Sequence, residues 1–434
     1  MTRILVYARG AVGKTMGSTG VRSYHTARVL AERIPEAQVT LSIPNEPDVD
    51  APHPRLRIVS HDSRRAAVSQ VLSHDIIISR NFPPYMLGLF YQKRLVLDFY
   101  SALAVEWLEI SKRIPYPRRR KVWMASNRHY IDMQLTLADY VVCASERQRD
   151  VLIGALSALD LVSPQAYDRD GTLAHLVGIV PYGVQPGSPE HKRRVLKGVL
   201  PGIRETDKLL IWNGSIMEWF DAGTVIRAMA HVAQVRDDVK LFFLGTEHPD
   251  WVTGLLFFDP PREAVELSKE LGLFDRSVFF NVGWVPYGDI GSYLAEADLG
   301  VCAGFDNLEA RYAYRTRLVD LFWAELPVVC TRGDMLASRI EDDGLGIVVA
   351  PGDAQAFAAA ILRLLDDEDL YRSCRSNMRA VKEDLSWDRV MAPLVEFCRG
   401  GVSSAAPKRR RISALARRTA RYLVTYVRQK RMRS

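Results

Sequence analysis

Arg311-Tyr-Ala-Tyr-Arg-Thr-Arg-Leu-Val-Asp-Leu-Phe-Trp-Ala-Glu-Leu-Pro-Val-Val-Cys330 reads as a basic loop, a short helix, a Leu-Pro break and a buried strand. The loop and first helical turn hold Arg311, Arg315, Thr316 and Arg317. Asp320 follows Arg317 by three residues, on a neighbouring face of the same helix. A helix N-terminus presents unpaired N–H groups and the positive end of the macrodipole, so arginines placed there suit a phosphate. A carboxylate one turn further on suits sugar hydroxyls. Together they are the layout of a nucleotide-sugar site, carried on the loop–helix–strand unit of a parallel sheet.

The same alternation extends outward in both directions. Strand runs are expected at Ile4–Tyr7, Val39–Ser42, Arg57–Val59, Ile76–Ser79, Leu95–Leu97, Tyr140–Cys143 and Gly178–Val180. In the second half they fall at Leu209–Trp212, Lys240–Leu244, Val278–Asn281, Leu299–Cys302, Pro327–Cys330 and Gly346–Val349. Helical patterns lie between them, at Val21–Glu32, Arg65–Leu72, Asp132–Leu137, Ala222–Val232, Pro261–Glu270, Tyr293–Ala297 and Asp353–Leu365. Strands alternating with helices predict an α/β protein with parallel sheets. The Pro-, Gly- and charge-rich segment Gln185–Asp207 reads as a linker between residues 1–184 and 208–385. Each half is then a doubly wound sheet that binds its ligand beyond the carboxyl ends of its strands. Two such sheets facing a cleft would take one substrate each.

A chain of 434 residues, nearly half of them hydrophobic, suffices for two cores. Its five cysteines are scattered and without metal-ligand spacing, as expected of structural thiols in a reducing compartment. The N-terminus runs straight into a strand without the features of a signal peptide, and no stretch has the length of a transmembrane helix. A cytoplasmic location is expected. The net charge of +7 is unevenly spread: residues 401–434 carry eleven Lys or Arg and no acid, so the rest of the chain is at −4. Within 408–434, Ile412, Leu415, Ala416, Thr419, Leu423, Tyr426 and Val427 recur at helical spacing. Arg410, Arg417, Arg418, Arg421 and Arg428 fall mainly on the other side. This predicts a basic amphipathic helix suited to an anionic membrane surface; a disordered tail or nonspecific nucleic-acid contact is the plainer reading.

Several loops are candidates for ligand contact. After the strand ending at Trp212, Gly214 permits a close turn, Ser215 follows, and Asp221 is placed to cap the next helix. Trp219 and Phe220 are costly to expose and should line something, whether a ligand or the core. In Val282-Gly-Trp-Val-Pro286, the open backbone at Gly283 beside Trp284 suits a flat base; core packing of Trp284 is the alternative. The loop Arg9-Gly-Ala-Val-Gly-Lys-Thr15 comes near the variant phosphate loop of MinD-like ATPases, but Gly17 and Gly20 disfavour a helix starting at once, and its helix is expected near Val21. Asp48-Val-Asp50 and Asp168-Arg-Asp170 read as solvated loops, His129 as a structural histidine, and no metal site is expected.

Taken in order, these segments resemble the group 1 glycosyltransferases, retaining enzymes of the GT-B fold with two Rossmann-like domains. The resemblance spans most of residues 1–400 and is strongest over 208–352. It rests on Gly17 to Arg22, Ala138-Asp-Tyr-Val-Val-Cys-Ala-Ser145, Val180-Pro-Tyr-Gly-Val184, Asn213-Gly-Ser215, Val282-Gly-Trp-Val-Pro286, Ala297-Asp298 and Leu318 to Val329. It implies that the second domain binds a nucleotide sugar and the first an acceptor, and that a helix at 386–400 crosses back to the first domain. The family's two Glu, with seven residues between them, would fall at Tyr312 and Asp320. Asp320 matches as the shorter acid, with an implied bond to the ribose hydroxyls. Tyr312 departs, and Glu309 replaces it only if the loop is shifted. The family's basic residues after the first strand of the second domain are missing at Ser215 and Phe220–Asp221, so Arg311, Arg315 and Arg317 are the candidates to supply that charge. The family's histidine after a strand of the first domain would fall near Asp98.

The expectation is therefore a glycosyltransferase that uses a nucleotide-diphosphate sugar, retains configuration, needs no metal or other cofactor, and glycosylates a glycan or lipid-linked cell-envelope acceptor at a membrane's inner face. Asp98 and Arg315 are its candidate catalytic residues. Gly20, Gly214, Ser215, Trp284, Arg311, Arg315, Thr316, Arg317 and Asp320 are its candidate donor-binding residues. The competing readings are a MinD-like membrane-associated ATPase and a non-catalytic binding protein on a GT-B scaffold.

Overall fold

The computed structural model describes residues 1–101, 103–246, 260–400 and 409–431. Every strand run expected from the sequence forms a strand, within two residues of its expected limits. The chain divides into two compact units, Met1–Tyr182 with Val390–Ser434, and Gly183–Arg389.

The first unit holds β1 (Thr2–Tyr7), β2 (Ala37–Ile43), β3 (Leu56–Ser60), β4 (Ile76–Ser79), β5 (Arg94–Asp98), β6 (Tyr140–Cys143) and β7 (Val177–Ile179). They pair in parallel in the order β3-β2-β1-β4-β5-β6-β7, with Ile4 opposite Val39 on one side and Ile76 on the other. The second unit holds β8 (Lys208–Trp212), β9 (Val239–Phe243), β10 (Val278–Phe280), β11 (Leu299–Cys302), β12 (Val328–Thr331) and β13 (Gly346–Val349), in the parallel order β10-β9-β8-β11-β12-β13. Runs such as Ile4-Leu-Val6 and Leu209-Leu-Ile-Trp212 are fully buried, as expected where crossover helices cover a parallel sheet. Strand order reverses between β1 and β4 in one unit and between β8 and β11 in the other. Each reversal opens a crevice at the carboxyl ends of the strands.

Three local expectations change. The first helix starts at Ser18 rather than Val21, with Gly17 as its extended N-cap. Gly20 does not break it, because a Cβ there would stand 2.1 Å from the Ala11 carbonyl oxygen, so the close approach of loop and helix requires glycine. The helix expected at Asp132–Leu137 is the last part of a longer one, Pro117–Leu137. Its first turns carry Arg118-Arg-Arg-Lys121 and so lack an apolar period. The segment expected to be a linker packs on the second unit: Glu296 accepts from the backbone N–H groups of Val195 (2.6 Å), Leu196 (2.9 Å) and Lys197 (2.7 Å).

The returning segment completes the first unit. Phe397, on the helix Ala392–Arg399, stacks on Tyr140 with ring centroids 4.5 Å apart and carries the Arg94 guanidinium at 4.0 Å. The tail forms the helix Arg409–Arg431 and packs on Pro117–Leu137. Tyr422 is buried beside Tyr130, and Arg418 donates to Thr136 Oγ1 and, at 2.9 Å, to the Leu159 carbonyl. The seam that docks therefore runs through Leu415, Arg418 and Tyr422, while Leu423, Val424, Tyr426 and Val427 stay exposed. Residues 408 and 432–434 of the expected helix, and the side chains of Arg410 and Ile412, lie outside the described residues. No helix among the described residues is long and apolar enough to cross a membrane.

Candidate functional site

At the reversal of the second sheet, the loop leaving β8 meets the helix Thr316–Trp323. Gly214 has φ +85, a left-handed conformation that glycine adopts without strain. This turn brings the Ser215 carbonyl to 2.5 Å from Arg317 Nη2, which donates to it. The Arg317 guanidinium lies 3.7 Å over the Phe220 ring and 4.9 Å from the Trp212 centroid. Trp212 and Phe220 themselves meet edge to face. The two aromatics thus form a shelf beneath a cation, an arrangement worth about 2 kcal/mol when desolvated. Arg317 is buried and its Nη1 has no hydrogen-bond partner. Burial pushes its pKa down to about 10, a loss that Cys302 and Asp320 partly offset, so it stays charged at neutral pH.

Asp320 lies one turn along the helix and accepts from Asn213 Nδ2 at 2.9 Å. Burial pushes its pKa up to about 7, opposed by the Asn213 bond and by Arg317. It therefore changes charge near neutrality. Thr316 opens the helix, whose N-cap Arg315 makes no side-chain capping bond, so the first N–H groups keep their capacity for a ligand.

Arg315 differs from Arg317. Its Nη1 and Nη2 donate to both oxygens of Glu309, at 2.9 and 2.6 Å, and its guanidinium lies 4.8 Å over Phe220. Burial alone would lower its pKa, but Glu309 and Asp334 raise it above the ordinary arginine value. The pair is buried on both sides, with the Glu309 side chain only 2% exposed. Glu309 thus neutralises the arginine expected to be catalytic. Arg311 is exposed on the short helix Leu308–Tyr312. Trp284 is half-buried, with its ring against Gly245, where a Cβ would stand 3.0 Å away. Gly283 beside it has φ +97. Asp221 caps the helix Ala222–Val235 through Thr224 N at 2.9 Å.

The remaining expected residues lie in the first unit. Asp98, at the end of β5, accepts from Arg22 Nε at 2.6 Å and Nη2 at 2.7 Å. Arg22 is 1% exposed and also donates to the carbonyls of Val180 (2.9 Å) and Pro181 (3.0 Å). Asp98 is thus bound to an arginine rather than left open. Gly20 is occupied with Ala11. In the glycine-rich loop, Val12 N donates to Asn45 Oδ1 and Lys14 N to Asp48 Oδ1, both at 3.0 Å. These amides are not available to wrap a phosphate. Asp170 accepts from Thr172 and Ala174 in its own turn. Among the described residues, no group of three or more His, Cys, Asp or Glu is placed to hold a metal ion.

Residues 207–367 match the family model of Glycosyl transferases group 1. The matched span includes Asn213, Arg317 and Asp320. The solved structures the chain resembles share the GT-B fold of two Rossmann-like domains. WaaG, a glycosyltransferase involved in lipopolysaccharide biosynthesis, aligns at 17% identity and TM-score 0.59, over 93% of this chain and 100% of its own. Sucrose-phosphate synthase from Thermosynechococcus elongatus aligns at 16% and 0.58, over 92% and 99%. HepE from Anabaena, solved with UDP-glucose, aligns at 15% and 0.59, over 93% and 100%. None of the curated proteins compared matches the sequence.

The sequence places Arg311, Arg315 and Arg317 in one loop and first helical turn but does not separate their roles. Nor does it mark Asn213 as a partner of Asp320, or Arg22 as the partner of Asp98, although both lie within the motifs that carried the resemblance.

Proposed function

We propose that the chain transfers a sugar from a nucleotide-diphosphate sugar to an acceptor, with the donor held in the second unit. The observation that carries this is the buried Arg317, with its open Nη1, beside a helix N-terminus and Asp320 at the sheet's reversal point. Departure of the nucleoside diphosphate builds charge on phosphate oxygens. A guanidinium fixed on an aromatic shelf, together with the first N–H groups of the helix, stabilises that charge without reorganising. Asp320 accepts from the ribose hydroxyls. Retention of configuration and a reaction without metal belong to the same proposal. The UDP-glucose bound by HepE makes uridine nucleotides the first donors to try.

Nucleotide sugars should raise the melting temperature in a thermal-shift panel, and Arg317→Gln should weaken the best of them by about ten- to a hundredfold, the worth of a charged hydrogen bond. If no nucleotide sugar stabilises the protein, the reading fails.

We place the enzyme in the cytoplasm, on an anionic membrane surface, acting on a glycan or lipid-linked acceptor. Support comes from the tail helix, which leaves Leu423, Val424 and Val427 exposed beside Arg421, Arg428, Lys430 and Arg431. Each basic residue near such a surface adds about 1 kcal/mol. The full chain should sediment with phosphatidylglycerol vesicles at low salt, and a chain ending at Gly400 should not; equal pelleting of the two rules the surface out.

A further inference from the structure

The first unit has its own cavity at the reversal between β1 and β4, and three guanidinium groups border it: Arg9, Arg22 and Arg80. Asp98 is the one carboxylate in its lining. That carboxylate is fully used by Arg22, whose other bonds go to the Val180 and Pro181 carbonyls, so the pair contributes no net charge. The other two arginines are balanced less completely, Arg80 by one long ion pair with Glu106 and Arg9 by no carboxylate among the described residues. Arg80 donates through Nη2 to Ser101 Oγ at 2.6 Å and, in a long ion pair, to Glu106 Oε2 at 3.5 Å. Its Nε is buried without a partner. Tyr100 steadies it from below, with its ring centroid 5.5 Å from the Arg80 guanidinium and 4.8 Å from that of Arg22. Arg9 is exposed and has no ion pair among the described residues.

Two arginines held at one cavity repel each other, and an orphaned N–H on one of them costs free energy unless something fills the space. A small anion answers both, by accepting from Arg80 and lying between the two charges. The cavity also stands at the carboxyl ends of the strands, where open α/β sheets take their ligands. We infer that the first unit holds an anionic group of the acceptor, a phosphate ester or a carboxylate, between Arg9 and Arg80. The acceptor is thus an acidic glycan or phosphorylated molecule rather than a neutral sugar. This rests on the glycosyl-transfer reading only in calling the ligand an acceptor; the anion site stands on the cavity itself.

The test is calorimetric titration of the full chain with methyl phosphate and, separately, acetate. Each titration is run in the native sequence and in an Arg317→Gln background, which removes phosphate binding by the second unit. Methyl phosphate should bind in both. Arg9→Ala and Arg80→Gln should each weaken it about tenfold or more, as loss of a charged hydrogen bond requires. Acetate binding as tightly as methyl phosphate assigns a carboxylate, and a clear preference for methyl phosphate assigns a phosphate ester. Should Arg80→Gln fail to fold, the exposed Arg9→Ala variant decides alone. Binding that disappears with Arg317→Gln, or that survives Arg9→Ala unchanged, overturns the inference. Nucleotide sugars that bind while methyl phosphate does not would sink this site and spare the donor site; the reverse result would do the opposite.

Discussion

Glu309→Gln is expected to lower the stability of the second unit by about 3–5 kcal/mol, the usual cost of leaving a buried charge without its partner. The Arg315 guanidinium and the Glu309 carboxylate are both almost completely withdrawn from water and meet through two parallel bonds. Burial disfavours the charged arginine, and the carboxylate restores it. Once an amide replaces that carboxylate, the remaining groups that favour the charge are Asp334 and, more weakly, Cys302. In a unit of this size the loss corresponds to a fall in melting temperature on the order of 10 °C, readable as movement of one transition in a calorimetric scan. The paired replacement Glu309→Leu with Arg315→Met should recover most of it, because an apolar pair of similar volume removes both desolvation costs. A shift below about 1 kcal/mol in the single variant would show that the pair is screened, as surface ion pairs are.

A comparable loss, about 3–5 kcal/mol, is expected in the first unit for Asp98→Asn. Arg22 is held by Asp98 and two main-chain carbonyls, and carbonyls alone cannot neutralise its charge. The prediction separates two roles for Asp98. If it serves the reaction directly, the variant should melt like the native chain and lose only turnover. If it serves Arg22, urea unfolding should show a midpoint that falls with little change in slope. The structure favours the second outcome, and Asp98→Leu with Arg22→Met should then unfold close to the native midpoint. An unchanged midpoint in Asp98→Asn would return the residue to the catalytic list.

The fold was legible because parallel strands are continuous apolar runs, and each of these runs is bounded by turn or helix residues. The helix Pro117–Leu137 was legible only near its end, since Arg118 to Lys121 hide the period of its first turns. In the proposed donor site, Arg317 and Asp320 stood out because a helix terminus and a one-turn spacing are local properties. The difference between Arg315 and Arg317 was not local. It depends on Glu309 folding back across six residues, and on the loop after β8 arriving from a hundred residues away to place Ser215. Arg22 and Asp98 lie 76 positions apart and meet only through the order of the strands. Likewise, the amphipathic period of the tail could be counted, but which side would be covered depended on Tyr130 and Thr136, residues nearly three hundred positions upstream.

The return of the chain to its first unit has a consequence for synthesis. The second unit is one continuous segment, Gly183–Arg389, whereas the first is assembled from both ends. On a translating ribosome, the second unit has all its residues out while the first still lacks Phe397, which stacks on Tyr140, and Arg399, which bonds the Arg33 carbonyl. The unit begun first is thus the one finished last. Until then the Tyr140 ring lacks its stacking partner, and exposed apolar surface of this kind is what chaperones act upon in nascent chains.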